Sequence, residues 1–580
     1  MNRRISPAAL ALAAVLLTVS AHAASPPALE SSTGMVVTSQ HEASEVGAAV
    51  LRSGGNAVDA AVAVGYALAV TLPCCGNLGG GGFMLIHLAN GRNAFINFRE
   101  RAPLAASADM YLDAKGDPIA KKSLDGWLAV GTLGTVLGLE TALEQFGTLP
   151  RQTLIAPAIR LADEGFVLRQ GDLDVMNNGA LSAPPGSSVR TIFSNGGKPF
   201  VAGDRLVQRD LAASLRLVSD GGVEAFYHGV NVKAVVDASA ANGGLLTAAD
   251  FAGYTVTQDA PVTCLYRGYT VISSPPPSSG GVTICEMLNI LSGYPLGQYG
   301  YRSAAEVHVI TEAMRRAYFD RNRSLGDPAF VSNPVERLTS TAYAKQLRAT
   351  ILPDRATPSS ALGDATAPVE SANTTHYSVV DRWGNAVAVT YTINDDFGAK
   401  VIAGHTGYLL NDEMDDFTAK PGSPNAFGLV QGKANAIAPG KRPLSSMAPT
   451  IVLKDGKPVL VVGTPGGARI ITTVLEILVA VIDHQIPLQD AVDAPRYHHQ
   501  WLPDTLQAEP GALSPDVAKA LEAMGYKVVP LDVWTAGNSA AVIGVAPADP
   551  AAAHALGFPH PGVLLGANDH RTPAGSAAAP

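Results

Sequence analysis

The chain is poor in cysteine, in charge and in long apolar runs, and each shortage excludes something. Four Cys among 580 residues are too few for a disulfide scaffold, and no C-x-x-C occurs to suggest zinc or redox chemistry. The even count permits two bridges, but the spacing of Cys74, Cys75, Cys264 and Cys285 establishes neither. Only 16% of the residues are charged, with 41 Lys plus Arg against 50 Asp plus Glu. A mildly acidic chain without a long basic run argues against nucleic acid as the main partner. Past the N-terminus, no stretch is long and apolar enough to read as a transmembrane helix. The common catalytic signatures are missing as well: there is no H-E-x-x-H, no G-x-S-x-G and no G-K-[ST] phosphate loop. The 58 Gly and 40 Pro are plentiful but not periodic. They exclude collagen and point to many turns and loops, where functional sites tend to be built.

What is present begins with a targeting pattern. Met1-Asn2-Arg3-Arg4 is a short positive start, Ala8 to Val19 is apolar, and Ala21-His22-Ala23 gives a small-x-small cleavage pattern. Residues 1–23 therefore read as a secretory signal peptide, which predicts a periplasmic or secreted protein in which disulfides are permitted.

Helix is expected from Ser44 to Val70, interrupted at Ser53-Gly54-Gly55-Asn56, with a second, small-residue helix starting at Ala57. The run Gly76-Asn77-Leu78-Gly79-Gly80-Gly81-Gly82 precedes a buried strand, Phe83 to Ile86, rather than opening a helix. It is therefore a poor phosphate cradle. Cys264 to Ser273 reads as a strand and Ser303 to Arg321 as an amphipathic helix. Arg355 to Ala372 is rich in Ser, Ala, Pro, Thr and Asp, with no hydrophobic period, and reads as an exposed, mobile linker. The pattern then changes at Asn373-Thr374. Tyr377 to Val380 and Ala386 to Ile393 are β-rich and joined by the turn Arg382-Trp383-Gly384-Asn385. Thr572 to Pro580 reads as a disordered tail. The adjacent pair His498-His499 cannot face one metal site from a regular element, so it reads as structural.

A tether that ends on a threonine opening a core hairpin suggests a particular chemistry. The hydroxyl of an N-terminal Thr is a nucleophile whose own α-amine, with a pKa near ~7.7–8, can take its proton. No His or Asp triad is required, in keeping with the missing motifs. The condition is a cut between Asn373 and Thr374. The turn suggests a register in which Thr392 lies opposite Thr375 and diagonal to Thr374, where a second hydroxyl could orient the first.

The segment Asn373-Thr374-Thr375-His376-Tyr377-Ser378-Val379-Val380-Asp381 resembles the processing site of the γ-glutamyltranspeptidases, or glutathione hydrolases. The resemblance extends through Gly54 to Ala61, Gly76 to Phe83, Phe98-Arg99-Glu100 and Pro275 to Gly281. It continues through Asn411 to Phe417, Lys441 to Met447 and Gly463-Thr464-Pro465-Gly466-Gly467. It implies an α+β fold, the four-layer αββα sandwich of N-terminal-nucleophile hydrolases, made as a self-cutting proenzyme. The large chain would be 24–373, ending in a flexible pre-cleavage linker at 355–373, and the small chain 374–580. By this resemblance Thr374 attacks the γ-amide of glutathione or a related compound, and water or an amino-acid or dipeptide acceptor takes the acyl group, with no cofactor and no metal. Arg99 would grip the α-carboxylate, helped by Ser445 and Ser446. Asn394, Glu413 and Asp416 would hold the α-ammonium. Gly466 and Gly467 would form the oxyanion hole.

Two departures from the family pattern stand out. Asp395-Asp396 follows Asn394 where many relatives are neutral, which points to repulsion of an anionic acceptor. Phe427, in a segment similar to the lid loop of bacterial members, replaces a common Tyr. Two rival readings predict different behaviour. An acylase of the same fold would prefer a glutaryl-type group, as on cephalosporins. A catalytically silent binding protein would stay uncut.

Overall fold

The computed structural model describes residues 25–363, 374–423, 429–531 and 539–580. Asn373 and Phe427 lie outside them, as do the signal segment through Ala23 and residues 364–373 of the linker. Among the described residues no helix is long and apolar enough to cross a membrane.

Two seven-stranded sheets form the centre. One runs in the order Ser576–Ala578, Gly34–Thr38, Thr375–Asp381, Ala386–Thr392, Gly81–His87, Asn93–Asn97 and Thr257–Gln258, with every neighbouring pair antiparallel. The other runs Leu29–Ser31, Leu564–Asn568, Ala541–Val545, Lys457–Val462, Thr450–Lys454, Tyr269–Ser273 and Val262–Tyr266, also antiparallel.

Alternation sorts the first sheet's side chains onto two buried faces. Met35, Val37, Phe83 and Leu85 join the core shared with the second sheet. Val36, Met84, Ile86 and Val389 join a separate core beneath the helices His41–Arg52 and Ala57–Thr71. The second sheet's far side packs on Gly280–Leu291 and Arg469–Ile482. Helices thus cover both outer faces, which gives the four-layer αββα sandwich of an α+β protein. The helix Ala57–Thr71 is buried along its whole length because it is mostly Ala and Val and can approach closely. Asn56 starts it with a capping box closed by Asp59.

The glycine run is explained by packing. A Cβ on Gly80 would sit 1.9 Å from the Thr392 carbonyl oxygen, so only glycine lets this segment pass the end of the central strand. The expected single strand from Cys264 to Ser273 is instead the hairpin Val262–Tyr266 and Tyr269–Ser273, because Arg267 and Gly268 both take positive φ, 50° and 80°, as a tight primed turn requires. The helix expected from Ser303 to Arg321 spans Ala304–Ser324, with Ser303 as its cap. It is not amphipathic in use, for Arg315, Arg316 and Arg321 are all buried.

Two expectations about mobile segments are corrected. Residues 355–363 are docked through Ser359 rather than exposed throughout. Ser359 is buried, its amide donates to Asp504 Oδ2 at 2.7 Å, and its hydroxyl donates to the Trp501 carbonyl at 2.6 Å. Polar partners hold this stretch, so no hydrophobic period marks it. The tail is ordered too. Ser576–Ala578 pairs with Gly34–Thr38 at the edge of the first sheet, and the Ser44 hydroxyl donates to the Ser576 carbonyl at 2.8 Å. Alanine-rich composition hides a strand whose contribution is mainly backbone pairing. Deleting residues 574–580 should lower Tm by roughly 4 °C or more, since about 1 kcal/mol shifts a chain of this size by only a few degrees and several hydrogen bonds are lost. A differential scanning calorimetry trace unchanged from the full chain would show the strand to be dispensable.

Candidate active site

Thr374 immediately precedes the strand Thr375–Asp381, at the middle of the first sheet. Asp381 anchors the far end of the hairpin: its carboxylate accepts from the amides of Trp383 at 2.9 Å and Asn385 at 3.0 Å. The resulting register pairs Thr375 with Tyr391, one residue away from the sequence expectation. Continued by one step, it sets Thr392 across from Thr374 rather than diagonal to it. Thr392 Oγ1 accepts from the Asn394 amide at 2.8 Å.

Two cavities meet at Thr374. The narrow one, about 20 Å³, brings together Arg99, Thr374, Thr392, Asn394, Glu413, Asp416, Ser445, Ser446 and Gly467. These come from six separated stretches of sequence. Gly466 directly precedes Gly467, and both have positive φ, 127° and 54°. Their turn leads into the N-terminus of the helix Arg469–Ile482, where backbone N–H groups and the helix dipole favour negative charge. The wider cavity, about 300 Å³, is bounded among others by Cys75, Asp172, Met176, Asp396 and Pro573. Asp396 therefore borders it, whereas the Asp395 amide is turned to Asp412 Oδ1 at 2.9 Å.

The narrow cavity is built around a fully buried guanidinium. Arg99 Nη1 donates to Glu413, Nη2 donates to Asp416, and Nε donates to the Pro443 carbonyl at 3.3 Å. Glu100 Oε2 lies 3.6 Å from Nη1. Burial alone would lower the Arg99 pKa, but Glu413, Asp416 and Glu100 together hold it above the ordinary arginine value. The carboxyls respond in the same direction. Burial pushes Glu413 well up despite Arg99, raises Asp416, and lifts Glu100 to about 7.

Ser446 Oγ accepts from Arg321 Nη2 at 2.9 Å. Ser445 Oγ accepts from the Met447 amide at 3.1 Å. Asn394 has φ of 79° and donates through Nδ2 to the Asp412 carbonyl at 3.1 Å.

Arg321, Glu100 and Asp412 are members of this site that sequence reasoning did not single out. Arg321 is buried, and burial brings its pKa down to about 10. Its one sequence signal was a cluster of arginines at the end of a helix that packs on its neighbours. His376 follows the candidate nucleophile by two residues but bonds Thr390 Oγ1 at 2.8 Å and Ser378 Oγ at 3.1 Å. Burial drops its pKa to about 3, so it is a neutral core residue. The pair His498-His499 is likewise buried and bonded, to Thr472 at 2.9 Å and Asp504 at 3.3 Å respectively.

Both cysteine pairs are bridged, Cys74 to Cys75 and Cys264 to Cys285.

The raised Glu100 pKa fixes a pH dependence of stability. Between the unfolded value near ~4.5 and about 7 the folded state holds a proton that the unfolded state has lost. The contribution is complete below that window and vanishes as pH rises through about 7. Glu100→Gln keeps the neutral shape at every pH. The variant's Tm should therefore gain on wild type as pH rises from about 5 to about 8. A Tm difference constant across that range would mean that Glu100 is ionised throughout.

The sequence profile of the gamma-glutamyltranspeptidases matches residues 43–577. The chain is 56% identical to a glutathione hydrolase proenzyme from Pseudomonas sp. (strain A14), over 91% of this chain and 92% of the relative. It is 51% identical to a glutathione hydrolase proenzyme from Escherichia coli (strain K12), over 85% and 86%. Among solved structures, a cephalosporin acylase from Bacillus halodurans superposes with a TM-score of 0.81 at 26% identity, covering 97% of this chain and 98% of that one. With the profile and such relatives each matching most of its length, the chain belongs to the gamma-glutamyltranspeptidase family of N-terminal-nucleophile hydrolases.

Proposed function

We propose that the chain cuts itself between Asn373 and Thr374 and that Thr374 is then the nucleophile of a γ-glutamyl hydrolase and transferase. The observation that carries this is the convergence of Thr374 with a buried Arg99, two carboxylates and two serines in one small cavity. A γ-glutamyl group ends in an α-carboxylate and an α-ammonium only two bonds apart. Such a zwitterion needs donors and acceptors side by side, and Arg99 with Glu413 and Asp416 supplies both. Ser445 and Ser446 add hydroxyls for the carboxylate, and Asn394 adds an amide for the ammonium end.

In the proposed reaction the freed α-amine takes the hydroxyl proton of Thr374, helped by Thr392. The Thr374 oxygen attacks the γ-carbonyl of glutathione or a related compound. The N–H groups of Gly466 and Gly467 stabilise the oxyanion, a kind of contact worth about 3 kcal/mol or more per donor. The amine or cysteinyl peptide leaves, and water or an amino-acid or dipeptide acceptor completes the cycle. As a member of this family the chain is a hydrolase made as a proenzyme whose two parts act as one heterodimer.

The wider cavity is then the route of the leaving group and acceptor. Export to the periplasm or beyond belongs to the same proposal. It rests on residues 1–23 and is supported by two disulfides, which persist in oxidising compartments. An acylase preference has one observation in its favour, the backbone likeness to a cephalosporin acylase. The zwitterion-matching set of charges and the higher identity to glutathione hydrolases favour the γ-glutamyl group.

Thr374→Ala should give one uncut chain and no turnover of a γ-glutamyl anilide. Thr374→Ser should still cut, more slowly. Intact-mass spectrometry decides, and normal two-chain maturation of the alanine variant would refute the assignment.

A second prediction separates the two adjacent acids. An acceptor carrying a carboxylate meets Asp396, and two unit charges ~4 Å apart repel by about 1 kcal/mol even in water, roughly fivefold. Asp396→Asn should raise transfer to glycylglycine over hydrolysis by about that factor at low salt, while Asp395→Asn should change it little. Equal partitioning in all three proteins would free acceptor choice from both charges.

A further inference from the structure

The Cys74–Cys75 bridge joins adjacent residues, between the helix Ala57–Thr71 and the glycine run, and it faces the chemistry. Cys74 is fully buried. Cys75 is 8% exposed and borders the wider cavity together with Thr374 and Asp396. Cys75 Sγ lies 3.8 Å from Asp396 Oδ1. The Cys74 carbonyl accepts from the Phe397 amide at 3.0 Å, tying the bridge to the loop that starts at Asn394. That loop holds three non-glycine residues at positive φ, Asn394 at 79°, Phe397 at 62° and Lys400 at 58°. Such conformations persist only where neighbours enforce them. Asp412 enforces the first two from one side and Cys74 from the other.

We propose that the Cys74–Cys75 disulfide is a thiol-opened switch in the wall of the nucleophile's chamber, selective for small aminothiols, and that opening it lowers turnover. This rests on the reading above, in which a cysteinyl peptide leaves Thr374 through the same cavity. The thiolate of an aminothiol attacks Cys75 Sγ, the sulfur that borders the cavity. The Cys75–Cys74 bond breaks, its electron pair goes to Cys74 Sγ, and that sulfur takes a proton from water. A second aminothiol displaces the first from Cys75, leaving two protein thiols and one aminothiol disulfide. Two external thiols are oxidised and one protein disulfide is reduced. The Asp396 carboxylate beside the attacked sulfur repels anionic thiolates and draws a reagent that also carries an ammonium. With the bridge open, the segment that holds Phe397, and through it Asn394, loses its fixed geometry.

The test treats the mature protein with cysteamine, 2-mercaptoethanol or mercaptoethanesulfonate, alkylates the native protein, and maps the labelled cysteines by mass spectrometry. Parallel samples are assayed on a γ-glutamyl anilide, which contains no thiol. Cysteamine should open Cys74–Cys75 at least tenfold faster than mercaptoethanesulfonate, after correction for their rates on a free model disulfide. Asp396→Asn should narrow that ratio severalfold. Anilide turnover should fall at least threefold as the bridge opens and return on reoxidation. In the Cys74→Ser, Cys75→Ser double variant it should no longer respond to thiols. Hydrolysis of the anilide with the bridge inert to cysteamine, or open without change in rate, would overturn the switch and leave the enzymatic reading intact. Absence of anilide hydrolysis by the untreated mature protein would overturn that reading, and the switch with it.

Discussion

A guanidinium with no access to water is the constraint around which the rest is arranged. Removing an arginine's charge from solvent costs several kcal/mol unless paired charges and hydrogen bonds replace the water. For Arg99 the replacements are Glu413, Asp416, Glu100 and the Pro443 carbonyl. Meeting that demand fixes three distant segments at once: the end of the strand Asn93–Asn97, the turn Glu413–Asp416, and the loop through Ser446. Arg321 ties the same loop to the helix Ala304–Ser324. All of these contacts but the one to Glu100 cross the proposed cut, with the arginines before residue 374 and the other partners after it. The sheets cross it too. Thr375–Asp381 lies beside Gly34–Thr38, and Ala386–Thr392 beside Gly81–His87. A single broken peptide bond would therefore free the amine of Thr374 without separating the two chains.

How much of this could be read from the sequence follows from what kind of interaction held each part. The hairpin after Thr374 was legible because β-branched runs around a Trp-Gly-Asn turn are a local signal. Its register was not, because it depends on how the Asp381 carboxylate gathers the turn amides. The αββα layering and the residues of the narrow cavity came from a family resemblance rather than from periodicity. Alone, Arg99 reads as a surface charge and Ser445-Ser446 as a turn. The docked stretch around Ser359 and the edge strand at Ser576 were missed for a shared reason. Both are held by hydrogen bonds to distant partners, and their own compositions are those of loops and tails. The Cys74–Cys75 bridge was equally invisible, since adjacency in sequence says nothing about which cysteine pairs with which.

The charge balance of the narrow cavity also bears on which acyl groups it can take. Arg99 and Arg321 bring two positive charges, and Glu100, Glu413 and Asp416 bring up to three negative ones, with burial raising all three acids. Glu413 and Asp416 occupy the Nη donors of Arg99. On the proposed function, a γ-glutamyl zwitterion would enter by exchange, its carboxylate taking Arg99 while its ammonium takes the displaced acids. That substitution leaves the buried charge unchanged. A glutaryl group offers the carboxylate alone, so the displaced acids would have to take up protons or remain unpaired in a largely buried site, at a cost of a few kcal/mol. A shared backbone is therefore compatible with different substrates. On the proposed function it is the acids at 413 and 416, more than the sandwich that carries them, that would favour an acyl group bearing its own positive charge.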